Sequence, residues 1–409
     1  MNKIDMPASR EVHAALRRTT QRLADELARP TADAPDWRDF DWRAAMAVAV
    51  MHGISALLAT RLAWTGPTAW QAFLGEQAAH GRRREARLRA LMAELDHAAT
   101  AAGVPLLGLK GTALLRTGLV APGERPMSDI DLLAAPEHVE TADRLIRGLG
   151  YAPGIVKRRH VAYDPVEAPA DRAFGEHEDN PIKIELHTTI SESLPRRAVD
   201  ITGDLATPGA PPGLNGYRSM GALMRHLLLH TTGNLCVRCV RLVQLHDLAL
   251  LSRQLTAVDW VEALAPTADG QPTWWAVPTL TLAARCFPGS GPAPPPPAVQ
   301  ACPPWLRIAS RRWALADVSL SHLTIPWLPG AVWSRGVGDV AGLAWERLLP
   351  PERTATAQLL LRQHSLAGSA WMRQPRWRKA LSFLRGAPAR AQTMYSLHRA
   401  LAYRPASSA

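Results

Sequence analysis

Cysteine is scarce in this chain: four among 409 residues, Cys236, Cys239, Cys286 and Cys302. They form no evenly spaced framework, so reduced thiols in a cytoplasmic protein are expected rather than a disulfide scaffold. Cys236 and Cys239 make a CxxC, but no second ligand pair accompanies them, which argues against zinc. They fall inside a helical pattern rather than after a strand, which favours buried structural thiols over a redox pair. An apolar leader is also missing, because the chain opens Met1-Asn2-Lys3-Ile4-Asp5 and continues as a charged helix. Residues 44–60 lack formal charges, yet they are Ala-rich and include His52, Gly53 and Ser55. That stretch reads as a buried helix, and no membrane partner is expected.

Lysine is rare beside arginine, and Lys plus Arg outnumber Asp plus Glu by 47 to 36, a net charge of +11. Such a balance suits phosphate-rich partners, although an arginine-rich composition alone produces it. Apolar residues at 47% and charged residues at 20% exclude large-scale disorder. No internal repeat is present. Five regions follow from the patterning: an N-terminal helical region (1–100), an α/β core (101–200), a helical region packing on it (201–287), a Pro-rich linker or loop (288–304) and a C-terminal helical region (305–409). In the first, helices are expected at 42–62 and 70–101, with Arg82-Arg83-Arg84 on a solvated face. In the last, Trp371 and Trp377 stand among Arg373, Arg376, Arg378 and Lys379, either as core or as a surface for nucleic acid.

Three motifs of the core carry chemistry. Ser128-Asp129-Ile130-Asp131-Leu132-Leu133 reads as a strand, and alternation puts Asp129 and Asp131 on one face with Ile130 and Leu132 on the other. Paired carboxylates repel unless a cation lies between them, and Mg²⁺ favours one or two carboxylates with phosphate oxygens. Upstream, a strand at 104–109 passes through Lys110-Gly111-Thr112 into a helical stretch at 113–119. Such a junction offers free N–H groups to an anion, Gly111 lets a phosphate approach, and Lys110 and Thr112 add a charge and a hydroxyl. A third strand, 182–190, contains Ile182-Lys183-Ile184-Glu185-Leu186-His187, with Lys183, Glu185 and His187 sharing a face. Beside the first strand, Glu185 becomes a third carboxylate, either the base for an acceptor or a ligand to a second metal ion. His226, His230 and His246 lack metal-ligand spacing, and Arg241 and Asp247 either line a cleft or form a structural ion pair.

This order resembles the uncharacterised bacterial nucleotidyltransferase family of the DNA polymerase β superfamily. The resemblance rests on Leu109-Lys110-Gly111-Thr112-Ala113-Leu114, on the run from Arg125 through Ser128 and Asp129 to Leu133, on Gly150-Tyr151, on His160 and on Glu185-Leu186-His187. Outside the core it includes His52-Gly53, the run from Arg225 to His230, Arg241, and the run from His246 to Leu251. It implies an α/β (α+β) minimal nucleotidyltransferase fold, a mixed sheet flanked by helical regions. It also implies Mg²⁺-dependent transfer of a nucleoside monophosphate from an NTP, two ions being possible, to a small molecule, peptide, protein or RNA. Asp129, Asp131 and Glu185 would be catalytic and metal-binding; Lys110, Gly111, Thr112, Arg125 and Ser128 would hold the nucleotide. Here Lys110-Gly111 replaces the Gly-Ser or Gly-Gly turn of the wider superfamily, and Thr188 stands where a Trp is frequent. A toxin-like transferase acting on tRNA and a non-catalytic nucleotide- or partner-binding protein are the alternative readings on the same fold.

Overall fold

The computed structural model describes residues 6–156, 159–167, 173–268, 270–348, 378, 381 and 389–405. Trp371, Arg373, Arg376, Trp377 and Lys379 lie outside the described residues.

The chain opens with four helices: α1 (Ser9–Ala28), α2 (Asp39–His52), α3 (Ser55–Arg61) and α4 (Thr68–Ala101). The continuous helix expected at 42–62 is two. Gly53 takes the left-handed conformation (φ 63°) that closes α2, its N–H reaching the Ala49 and Val50 carbonyls, and the axis turns by 112°. A Cβ at Gly53 would also lie 2.5 Å from an Arg241 nitrogen, so both the turn and the close approach require glycine. Among the described residues no single helix is long and apolar enough to cross a membrane. In α2, Ala44 to Ala49 are at most 1% exposed and face protein on all sides.

A six-stranded mixed sheet follows, built from β1 (Pro105–Gly108), β2 (Asp129–Ala134), β3 (Tyr151–Val156), β4 (His160–Pro165), β5 (Lys183–His187) and a late strand. Helix α5 (Lys110–Thr117) joins β1 to β2, and α6 (Val139–Gly148) joins β2 to β3. After β5, β6 (Ser191–Ser193) and β7 (Ala198–Asp200) form a separate pair, and β8 (Gly213–Asn215) returns to the sheet edge. The strand order is β3-β4-β5-β2-β1-β8. Strands β2 and β5 are parallel neighbours, and β4 runs antiparallel to β5. The strand expected at 182–190 ends at His187. This is the α+β arrangement of a mixed sheet and flanking helices that the motifs imply.

Helices resume as α7 (Met220–Cys236), α8 (Leu242–Ser252), α9 (Ala257–Ala263) and α10 (Ala276–Cys286). The Pro-rich stretch contains a short helix, Pro296–Ala301, opened by proline at its first turn, where the missing N–H costs nothing. Cys236 closes α7, and Cys239 lies beyond it in a loop; all four cysteines are free thiols. Burial pushes the Cys236 and Cys286 thiols up to about 12, so both are inert at neutral pH.

One sheet face is a plain apolar layer. Ile130, Leu132, Ile184 and Leu186 pack against Leu95 of α4 and Ile146 of α6. Each such side chain contributes roughly 1.5–3 kcal/mol when fully buried. A second, larger cluster joins helices from before and after the sheet, with Leu16, Met46, Leu228, Leu245 and Leu397 in contact through it. It leaves α7 and the start of α8 across from the polar sheet face.

Candidate active site

Register decides the geometry. Asp131 pairs with Glu185 across the parallel β2–β5 ladder, and Asp129 pairs with Lys183. On the other side of β5, His160 of β4 lies opposite His187. Paired residues project to the same face, so Asp129, Asp131, Glu185, His187 and His160 all rise from one side of the sheet.

The carboxylates sit in unlike surroundings. Asp131 is 5% exposed and engaged through one oxygen: its Oδ1 accepts from Lys110 Nζ at 2.8 Å and lies 3.0 Å from His187 Nε2. Burial presses its pKa upward, but Lys110 and His187 outweigh this and hold it well below the carboxylate range. The Asp129 carboxylate makes no hydrogen bond or ion pair among the described residues, although its backbone pairs in the β2–β5 ladder. Burial and the adjacent Asp131 push it up to about 6. Glu185 is pressed upward by burial, yet the hydrogen bond from His187 brings it below its ordinary value. His187 is raised, since the bonds to Asp131 and Glu185 overcome its own desolvation.

A cavity of about 210 Å³ opens in front of these groups. Its floor includes Lys110, Gly111, Ser128, Asp129, Asp131 and Glu185. Its roof comes from α7 through Leu227, His230 and Thr231, and from the start of α8 through Arg241, Gln244 and Asp247.

The turn after β1 differs from its expected form. The helix begins at Lys110 rather than Ala113, and Lys110 itself is left-handed (φ 47°), unusual for a side chain of that length. Its N–H donates to Tyr217 Oη at 3.1 Å, and that hydroxyl is 2.6 Å from His226 Nδ1. Gly111 lines the cavity, and any Cβ there would strike the Arg125 guanidinium and lie 3.0 Å from Met127 Sδ. Thr112 is placed otherwise than the phosphate-binding expectation has it. It is fully buried, and its Oγ1 accepts the Asp131 N–H at 3.2 Å, so it braces the carboxylate strand instead of facing the cavity. Arg125 lines the cavity too, and there it donates from Nε (2.9 Å) and Nη2 (2.7 Å) to the two oxygens of Asp247. The Arg241–Asp247 pair considered from the sequence does not form. Arg241 lines the cavity instead, with no carboxylate within 4.0 Å among the described residues, and Asp129 lies in its field.

Residues 38–288 match the sequence model of a family of uncharacterised nucleotidyltransferases. The chain belongs to that family. The match runs from the start of α2 to just past α10, so it takes in the helices that roof the cavity as well as the sheet. No curated protein and no solved structure matches the chain. A nucleotidyltransferase moves phosphorus-containing groups and takes a nucleoside triphosphate as substrate, and the protein is an enzyme of that class.

Two further positions shape the nucleotidyltransferase site: Arg84, which carries no motif, and His52, which belongs to the resemblance outside the core. Arg84, the last of the arginine run, is 3% exposed rather than solvated. Its guanidinium donates to the carbonyls of Met127 (2.8 Å), Pro181 (3.1 Å), His177 (3.3 Å) and Asn180, and so ties together the entries to β2 and β5. His52 is buried and held neutral, its pKa lowered by desolvation to about 3. Its Nδ1 accepts the Leu242 N–H at 2.9 Å, and Nε2 faces Ser321 Oγ at 2.9 Å. The His52-Gly53 pair therefore seats the first turn of α8, satisfying one of its unpaired N–H groups and making room for Arg241.

Proposed function

We propose that the enzyme transfers a nucleoside monophosphate from a Mg²⁺-bound NTP to an acceptor hydroxyl, phosphate or amine, on a core of the DNA polymerase β type. One observation carries this reading: Asp129, Asp131 and Glu185 line a single cavity with the Lys110-Gly111 turn, and Asp129 has no counter-charge in contact. A carboxylate raised to about 6 by burial and a like charge is one that a divalent cation relieves, so the donor set fits Mg²⁺. Bound between Asp129 and Asp131, the ion would neutralise charge developing on the attacking and leaving oxygens.

The chain's own groups supply the rest. Lys110, Arg125 and Arg241 line the cavity as cations for the triphosphate, and Gly111, lacking a side chain, makes room for the Arg125 guanidinium beside the start of α5. Glu185 completes the carboxylate set beside Asp131. The acceptor oxygen or nitrogen bonds to the α-phosphorus, the bond to the β-phosphate bridging oxygen breaks, and pyrophosphate leaves. Calorimetry with Mg²⁺ and ATP, GTP, CTP or UTP tests the reading. One NTP should bind only with the metal present, and Asp129→Asn should lose that dependence together with transfer of label from an α-³²P-NTP. Metal-independent binding, unchanged in Asp129→Asn, would overturn it.

A further inference from the structure

Beside the paired aspartates, the sheet assembles a different donor set. His160 and His187 face each other across β4 and β5, with ring centroids 4.7 Å apart. Glu185 Oε2 lies 3.4 Å from His160 Nε2 and 3.6 Å from His187 Nε2. One ligand atom from each of the three residues falls within 4.8 Å of the other two. The side chains are 9%, 18% and 9% exposed for His160, Glu185 and His187, enclosed yet still reached by solvent. Metal–ligand bonds of about 2.0–2.2 Å in a tetrahedral site place neighbouring donor atoms roughly 3.3–3.6 Å apart. The two nitrogen–oxygen spacings are close to that edge. Asp131 Oδ1, 3.0 Å from His187 Nε2, is the neighbouring carboxylate oxygen available as a fourth donor.

We propose that His160, Glu185 and His187 form a site for a transition-metal ion, distinct in chemistry from the Asp129–Asp131 site and adjoining it through Asp131 and Glu185. Two imidazole nitrogens with a carboxylate suit Zn²⁺, Co²⁺ or Mn²⁺; Mg²⁺ prefers an all-oxygen set with retained waters. The inference deepens the proposed function by giving the enzyme two unlike cations: a hard ion that travels with the triphosphate and a borderline ion held by the sheet. Occupancy replaces the hydrogen between His187 Nε2 and its carboxylate partners with a metal bond.

The test uses the full chain, stripped with chelator, without nucleotide. Co²⁺ alone is titrated and followed by visible absorption, and Zn²⁺ by calorimetry with competition against Co²⁺. One equivalent of Co²⁺ should bind with the intense bands of a four- or five-coordinate ion, and Zn²⁺ should displace it. His160→Ala and His187→Ala, checked for native circular dichroism, should each weaken Co²⁺ binding by about 100-fold or more, beyond the cost of losing a mere outer partner of a ligand. Asp129→Asn should keep the Co²⁺ spectrum while losing Mg²⁺-dependent NTP binding, so the two proposals fail separately. Should either histidine variant not fold, pulsed EPR of the wild-type protein loaded with Cu²⁺ supplies the reading: couplings from two imidazole nitrogens support the site, and their absence overturns it. It is also overturned if Co²⁺ does not bind, if binding survives in both folded histidine variants, or if it is lost only in Asp129→Asn.

Discussion

Asp129 and Asp131 are two residues apart on one strand, and substitution should separate them. Asp129 is raised to about 6 by burial and by Asp131, so its charge opposes folding of the metal-free protein above that pH. Between the ordinary carboxylate range and pH 6 the folded state binds the extra proton, and stability from this group falls as pH rises. Asp129→Asn should therefore raise the urea midpoint of metal-free protein at pH 7.5, with no gain at pH 4. Asp131 has the opposite sign. Its depressed pKa reflects stabilisation by Lys110 and His187 that is present above the usual carboxylate range and lost as pH falls through the folded value. Asp131→Asn should lower the same midpoint at pH 7.5, because it leaves a buried ammonium and imidazole without their anion. Equal shifts in both variants would contradict the asymmetry. Charge repulsion, legible in the sequence, predicts relief for either substitution; Lys110, brought over Asp131 by an unusual backbone turn, accounts for the difference.

At the scale of elements, β1, β2, β5 and α4 were readable because each presents a simple pattern: a short continuous apolar run in β1, alternation in β2 and β5, and an apolar stripe in α4. The break at Gly53 was not, since nothing near it in sequence reveals that Arg241 will pass against its backbone. Arg84 was hidden for another reason: three consecutive arginines on a helix point about 100° apart, and only the packed structure shows which one turns inward. The Arg125–Asp247 pair spans 122 positions. It fastens the approach to β2 to α8, with side chains 12% and 3% exposed. Asp247→Ala strands a buried guanidinium and should cost about 3–5 kcal/mol by urea denaturation. Arg125→Met combined with Asp247→Leu should recover much of that loss, while NTP affinity stays reduced because both polar side chains line the cavity.

For the molecule as a whole, the buried histidines dictate the response to acid. His52 and His230 are lowered to about 3 and His226 well below 6.5, in each case chiefly by desolvation. Folded pKa values below the unfolded one mean that the denatured chain takes up protons first as pH falls under 6.5. Stability should then drop by about 1.4 kcal/mol per pH unit for each such group, offset in part by Asp129 and His187, whose raised values act in the opposite direction. Melting temperatures from pH 7.5 to 5 should fall monotonically, and His52→Gln should flatten the curve; a flat wild-type profile would show these imidazoles to be solvated. The bond between Arg125 and Asp247 has one more consequence, and it concerns time. Cavity floor and roof are bolted together by a buried charge pair, so the cleft has no cheap way to swing open and shut. Nucleotide capture should be a single encounter: in stopped-flow mixing with a fluorescent Mg-ATP analogue, one exponential whose rate climbs linearly with concentration. A plateau at high concentration would reveal a rearrangement that the bolted cleft does not allow.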